Sequence, residues 1–290
     1  MDQICSQFGI TRQAHYQKQH REIVKSMENE IILEMVRLIR RKHPRMGCRK
    51  VLYKISPMLA SEGLNIGRDR LFELLRRADL LIKRKKKYRR TTIPGLWRAL
   101  NRLPGTLIRY CDQVWVCDIT YLELMESRFA YMFLLMDLYS RYIVGWHVSP
   151  SLATDGALVS LEMALSKRTN RPAGLIHHSD HGVQYTSRAY MTALVDNGLL
   201  ASMGAVGNCY DNIYAERVIG ILKGEYGLDS PFVNINQVSS VVEEVVCLYN
   251  SDRPHLSLGM ATPKDVYCGK VVDVPVILIS LWQYNGFPIT

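Results

Sequence analysis

From Val114 onward the chain reads as three successive stretches, "VWVCDITYLELM", "RFAYMFLLMDLYS" and "RYIVGWHVS", each rich in aromatic and β-branched residues and separated by only a few polar ones. Connections this short cannot cross over a sheet, so the stretches must pair as an antiparallel meander. The pattern then changes. A helix is expected from Thr154 to Lys167, followed by the strand "AGLIHHSD", a helix from Ser187 to Asn197 and the short strand "LLASMG". A meander followed by alternating helix and strand predicts an α/β fold with one mixed sheet and helices on both faces. The remainder reads helical, with helices expected from Tyr210 to Gly224 and from Asn236 to Asn250.

The front of the chain has a different texture. Between Glu28 and Lys42, Ile31, Ile32, Met35, Leu38 and Ile39 recur at helical spacing, and His43-Pro44 closes the segment. A second helix, "CRKVLYKI", is expected to stop near Ser56-Pro57, and a third to run from Arg68 to Leu81. With Gly47, Gly63 and Gly67 at the bends, the three fit a small helix-turn-helix unit, although a plain helical bundle has the same pattern. Next comes "KRKKKYRR", where Lys83, Arg84, Lys85, Lys86, Lys87, Arg89 and Arg90 supply seven cations in eight positions. Such a run is most often a solvated tail; between two folded units it suits a phosphate backbone. The expected organisation is a helical region over 1–82, a basic linker over 83–111, a core over 112–270 and a tail over 271–290.

Charge follows the same division. Residues 1–110 carry 26 Lys+Arg against 9 Asp+Glu, and residues 111–290 carry 11 against 18. A basic front joined to an acidic body fits an arm that holds a polyanion and a body whose acids bind cations. The longest apolar stretch near the end, Val274 to Trp282, is half of a bilayer span, and the first ten residues lack the layout of a signal peptide. The expected location is the cytoplasm. Seven cysteines without a C-x-x-C pair fit neither a disulfide framework nor a zinc ribbon.

Three acids stand out. Asp118 sits among Trp115, Val116 and Ile119 in the first strand, where a carboxylate is costly unless paired or bound to a cation. Asp180 ends the fourth strand, the place where ligands gather in α/β sheets. Glu216 shares a helical stripe with Asn212, Gly220 and Lys223, opposite an apolar side of Val218, Ile221 and Leu222. Alone, Glu216 reads as an ordinary exposed helix glutamate. Around Asp180, "GLIHHSDHGVQYTS" crowds His177, His178 and His181, and His178 with His181 has a workable zinc spacing. No third nitrogen or sulfur ligand lies nearby, however, and strand alternation sends His177 and Ser179 to the face opposite His178 and Asp180. The carboxylate reading is therefore favoured, with a histidine as a neighbour of the metal pocket or a DNA contact.

The ordered motifs "WVCDIT", "HHSDHGVQY", "GNCYDN" with "AERVIGILKGE", and "YNSDRPHLSLGMATP" resemble the second-frame (OrfB) transposase of the IS-three group of bacterial insertion sequences, relatives of retroviral integrases. The resemblance covers about residues 30 to 268 and includes the family's spacing, 35 residues between Asp180 and Glu216, with Lys223 seven positions on. It implies an RNase H-like five-stranded core, with Asp118, Asp180 and Glu216 as catalytic metal ligands and Lys223 as a contact to the DNA end. It further implies two Mg²⁺ (or Mn²⁺) ions per active site, Asp118 bridging both while Asp180 and Glu216 hold one each. Expected partners are double-stranded DNA, further copies of the chain assembled on it and an OrfA-type upstream-frame product, with no membrane and a nucleoid-associated location. Hydrolysis without joining, or DNA-binding regulation without chemistry, are the competing readings. "SMGAVGN" and Arg217 depart from the family's usual residues and bear on DNA sequence preference rather than on the triad. His255 matches a family motif without an assigned role.

Overall fold

A computed structural model describes residues 11–82, 99–168, 173–204, 212–271 and 273–279. The chain divides into two units, Met1–Lys83 and Arg84–Thr290.

The first unit is three helices. α1 (Arg12–Lys42) starts sixteen residues before the expected Glu28, with Thr11 accepting from the Ala14 N–H at 3.1 Å as its cap. Its early turns are polar and show no apolar periodicity, which is why the pattern was silent there. The buried residues of its second half are Ile32, Leu33 and Val36; Ile31 and Leu38, expected on the inner face, are exposed. α2 (Cys48–Ser61) runs through Pro57 instead of stopping before it. Pro57 removes one backbone donor, yet Ile55 and Leu59 are buried on either side of it, and Ser56 Oγ donates to the Leu52 carbonyl at 2.6 Å. Packing outweighs the lost bond. α3 (Arg68–Arg77) stops four residues before the expected Leu81, and Leu71 and Leu75 join Met46, Val51 and Ile66 in the small core.

The second unit opens with β1 (Leu107–Ile108) and the meander β2 (Val114–Glu123), β3 (Phe129–Asp137) and β4 (Ile143–Ser149). α4 (Thr154–Lys167), β5 (Ile176–Ser179), α5 (Arg188–Asp196) and β6 (Leu200–Met203) alternate after it. α6 (Ile213–Tyr226), α7 (Ile235–Ser251), the short α8 (Pro263–Tyr267) and β7 (Ile277–Leu278) complete the described chain. Five strands form one mixed sheet in the order β4-β3-β2-β5-β6, antiparallel within the meander and parallel from β2 to β5 to β6.

Alternation along the strands sorts two cores. Val114, Val116 and Leu122 of β2 and Met132, Leu134 and Met136 of β3 face α6 and α7, whereas Trp115, Cys117, Phe133 and Leu135 face α4 and α5. α4 lies close against the sheet because glycines leave room. A Cβ at Gly145 would strike the Ser160 carbonyl oxygen, and one at Gly156 would strike the Phe133 ring. At the edge of the sheet, the Asn250 carboxamide takes up both backbone groups of Ile143, accepting its N–H at 2.9 Å and donating to its carbonyl at 3.1 Å.

The segment expected as linker up to residue 111 joins this unit earlier. Leu103 and Ile108 are fully buried, and β1 pairs antiparallel with β7 from the expected tail, where Val274 and Ile279 enter the same core. Strands of two residues are too short to show alternation. No helix among the described residues is long and apolar enough to cross a membrane. Gly145→Ala should destabilise the unit by about 1 to 3 kcal/mol, since a carbonyl oxygen cannot move aside as a side chain can; urea unfolding of the full chain measures it.

Candidate active site

β2 and β5 pair in parallel with Val114 opposite Ile176, Trp115 opposite His177 and Val116 opposite His178. Continued by two residues, that register sets Asp118 beside Asp180, on the face of the sheet that α6 covers. Asp118 is held within the strand, and its Oδ1 accepts from the Ile119 N–H at 2.8 Å. Asp180 follows the last residue of β5, and its Oδ1 accepts from the Gly182 N–H at 3.0 Å. A Cβ on Gly182 would stand 3.0 Å from the same oxygen, so the turn that fixes Asp180 has room for glycine and little more.

Glu216 lies in the first turn of α6. Ala215, Val218, Leu222 and Tyr226 bury the opposite side of that helix in the sheet core, leaving Glu216 and Gly220 exposed. Two tethers fix the helix against β2. Before its first turn, Asn212 is buried and donates from Nδ2 to the Cys117 carbonyl at 3.0 Å, next to Asp118. In its last turn, Lys223 donates from Nζ to the Tyr121 carbonyl at 2.7 Å. Asn212 was legible as part of a polar stripe but not as a tether, because its partner is a backbone carbonyl about a hundred residues away. Asn at a helix start normally signals a cap, yet here the side chain makes no cap hydrogen bond.

Farther along, Glu225 receives both Nε and Nη2 of Arg253 at 2.8 Å, and Arg253 Nη1 donates to His255 Nε2 at 2.8 Å. Arginine can only donate, so His255 is neutral at Nε2 and serves as the acceptor that completes this group. Its place in the sequence motif is thus explained by anchoring the end of α6.

The electrostatics follow from the convergence. Burial, then the charge of Asp180 and that of Glu216, push the Asp118 carboxyl well above the ordinary carboxylate range, opposed by the Ile119 N–H and by Lys223. Partial burial, then Asp180, raises Glu216. A repelling set of oxygen donors is relieved by a cation among them, and hard carboxylate oxygens suit Mg²⁺ or Mn²⁺. Among the described residues no three Asp, Glu, His or Cys side chains stand together as ligands of a single ion. Two ions divided among three acids require no more than two of these side chains each.

Two of the three histidines are engaged elsewhere. His177 Nε2 lies 2.9 Å from the Tyr190 hydroxyl, and burial depresses its pKa to about 3. His178 Nδ1 lies 2.9 Å from Ser202 Oγ, and both imidazoles are buried. His181, next to Asp180, is buried with Nδ1 lacking a hydrogen-bond partner. The seven cations of the basic run, Lys83 to Arg90, lie outside the described residues.

The integrase core domain family matches residues 111–209, and a second integrase core domain family matches residues 197–263. The chain is 33% identical over 271 residues to the transposase for insertion sequence element IS629 of Shigella sonnei, covering 90% of this chain and 89% of that one. The chain belongs to the insertion-sequence transposases. Within them, it is 36% identical over 154 residues, 53% of each chain, to transposase InsF for insertion sequence IS3A of Escherichia coli K12. A simian T-cell lymphotropic virus intasome chain aligns at 15% identity and TM-score 0.47 over 88% of this transposase and 79% of that chain. The two integrase-core matches together span β2 to the start of α8, the segments that carry Asp118, Asp180 and Glu216.

Because ionised Asp118 is disfavoured in the metal-free fold, that fold takes up a proton relative to the unfolded chain, and its stability falls as pH rises above the ordinary carboxylate range. Asp118→Asn should therefore raise the metal-free melting temperature at about pH 8 and flatten its fall between about pH 5 and pH 8. Millimolar Mg²⁺ should raise the melting temperature of the unaltered transposase and leave the variant nearly unchanged. Thermal melts in a pH series, with and without the ion, measure both.

Proposed function

We propose that this transposase cleaves the ends of its insertion sequence and transfers the resulting 3′-hydroxyl strand to target DNA, with Asp118, Asp180 and Glu216 as its catalytic, metal-holding residues. The observation that carries this reading is the convergence of three mutually repelling carboxylates from β2, the end of β5 and α6 on one sheet face. A DNA-binding regulator would gain nothing from clustering acids where a polyanion must approach.

Two Mg²⁺ or Mn²⁺ ions held there would activate a water for cleavage, activate a DNA 3′-hydroxyl for joining and stabilise the leaving oxygen. Asp118, Asp180 and Glu216 would hold the ions among them through carboxylate oxygens. The chain's contribution is rigidity. The Ile119 and Gly182 N–H groups orient the two aspartates, and Asn212 and Lys223 hold α6 so that Glu216 keeps its distance from β2. Lys223 would meet the DNA end from beside the acids, and Lys83, Arg84, Lys85, Lys86, Lys87, Arg89 and Arg90 would follow the backbone. The working form is an assembly of several copies on duplex DNA, with an upstream-frame product as a further partner, in the nucleoid-containing cytoplasm.

Asp180→Asn, assayed with Mg²⁺ on labelled element-end DNA, should lose cleavage by several orders of magnitude while retaining DNA binding; unchanged cleavage refutes the triad. Replacing Lys83, Arg84, Lys85, Lys86 and Lys87 by Ala should weaken binding to all sequences alike and flatten its salt dependence. A loss confined to one sequence, seen in competition titrations, would refute the backbone role.

A further inference from the structure

The helical unit carries a second, separate concentration of charge. Between Met35 and Ser61 there are eight Lys+Arg and no Asp or Glu. The structure shows which of these cations are already committed. Arg37 reaches Glu30 at 2.9 Å and Glu34 at 3.2 Å, Arg40 donates to the Leu80 carbonyl, and Lys50 is buried. Arg41 and Lys42, in the last turn of α1, and Arg49, in the first turn of α2, are exposed and have no acid partner among the described residues. They flank one elbow, His43 to Gly47.

α3, the third helix and the one that a helix-turn-helix reading would send into a DNA groove, is arranged differently. Its four arginines are all ion-paired, on three carboxylates: Arg68 with Asp69 at 2.8 Å, Arg70 with Glu28 at 3.3 Å, and Arg76 and Arg77 sharing Glu73 at 2.6 and 3.0 Å. Charge that is balanced within the protein gives little on meeting a polyanion, because releasing counterions from phosphates requires uncompensated cations. α2 also begins at Gly47 with no side-chain cap and no acid in its first turn, so its terminal N–H groups add to the positive field of the elbow.

Resting on the reading of this chain as a DNA transposase, we propose that the α1–α2 elbow is a clamp for the phosphate backbone of duplex DNA, with Arg41, Lys42 and Arg49 as its contacts. The clamp grips without reading sequence. Its three side chains come from the facing ends of two helices rather than from one continuous helix face that could be laid along base edges, and phosphate contacts of this kind fix position and register. α3 contributes less to affinity than its four arginines imply, because forming a DNA contact there requires breaking an ion pair with an acid that would then face the phosphates.

The test uses the full chain and two fluorescent duplexes of unrelated sequence, with binding measured by anisotropy over a range of salt concentrations. In the combined variant Arg41→Ala, Lys42→Ala, Arg49→Ala, the slope of log affinity against log salt should fall by about 2 to 3, equally on both duplexes. The combined variant Arg68→Ala, Arg76→Ala, Arg77→Ala should change it by about 1 or less. Arg41→Lys with Arg49→Lys should retain the slope, which separates charge from fold, and circular dichroism checks that every variant remains helical. An unchanged slope in the elbow variant, a loss confined to one duplex, or a larger fall in the α3 variant overturns the clamp while leaving the transposase reading intact. Failure of the unaltered chain to bind either duplex overturns both.

Discussion

Like-charge repulsion within a folded sheet governs the architecture of the catalytic unit. Three carboxylates can share one face only if the surrounding structure holds them against their own mutual electrostatics, and the parallel pairing of β2 with β5 is where that restraint begins. The side-chain period of two makes it unforgiving. A slip of one residue in that register would send either Asp118 or Asp180 to the opposite face, among Trp115 and Cys117.

The third acid depends on a helix rather than a strand, and the protein fixes that helix with polar bonds at both ends. Asn212 and Lys223 reach backbone carbonyls of β2, while Glu225 is locked to Arg253 and, through it, to His255. Buried charges in such a group are costly to isolate, so losing one partner harms more than the pair gains. Apolar contacts of Val218 and Leu222 hold α6 to the sheet but tolerate some sliding; directional bonds to named carbonyls do not. The division of labour is familiar in physical terms: hydrophobic area supplies adhesion, and hydrogen bonds select one geometry.

Much of this was legible in the residues. The meander, the alternating segments after it and the limits of the helix from Thr154 to Lys167 follow directly from periodicity, because each buries one face. Asp118 declared itself by sitting among apolar strand residues, and Asp180 by ending a strand of the alternating α/β segment. What was not legible depended on partners distant in sequence. The continuation of α2 through Pro57 rests on the burial of Ile55 and Leu59, and the inner face of α1 was assigned one position off because Ile31 and Ile32 are equally apolar. The tether at Asn212, the acceptor role of His255 and the short pairing of β1 with β7 are contacts between segments, invisible to any local window.

The carboxamide of Asn250 has a consequence of a different kind. β4 is the outer strand of the sheet, and such a strand offers a row of open backbone groups onto which any extended peptide can zip. By occupying both the donor and the acceptor of Ile143, Asn250 imitates one residue of an additional strand and blocks the position where that zipping would start. The carboxamide thereby keeps this border from becoming a site of indiscriminate sheet growth.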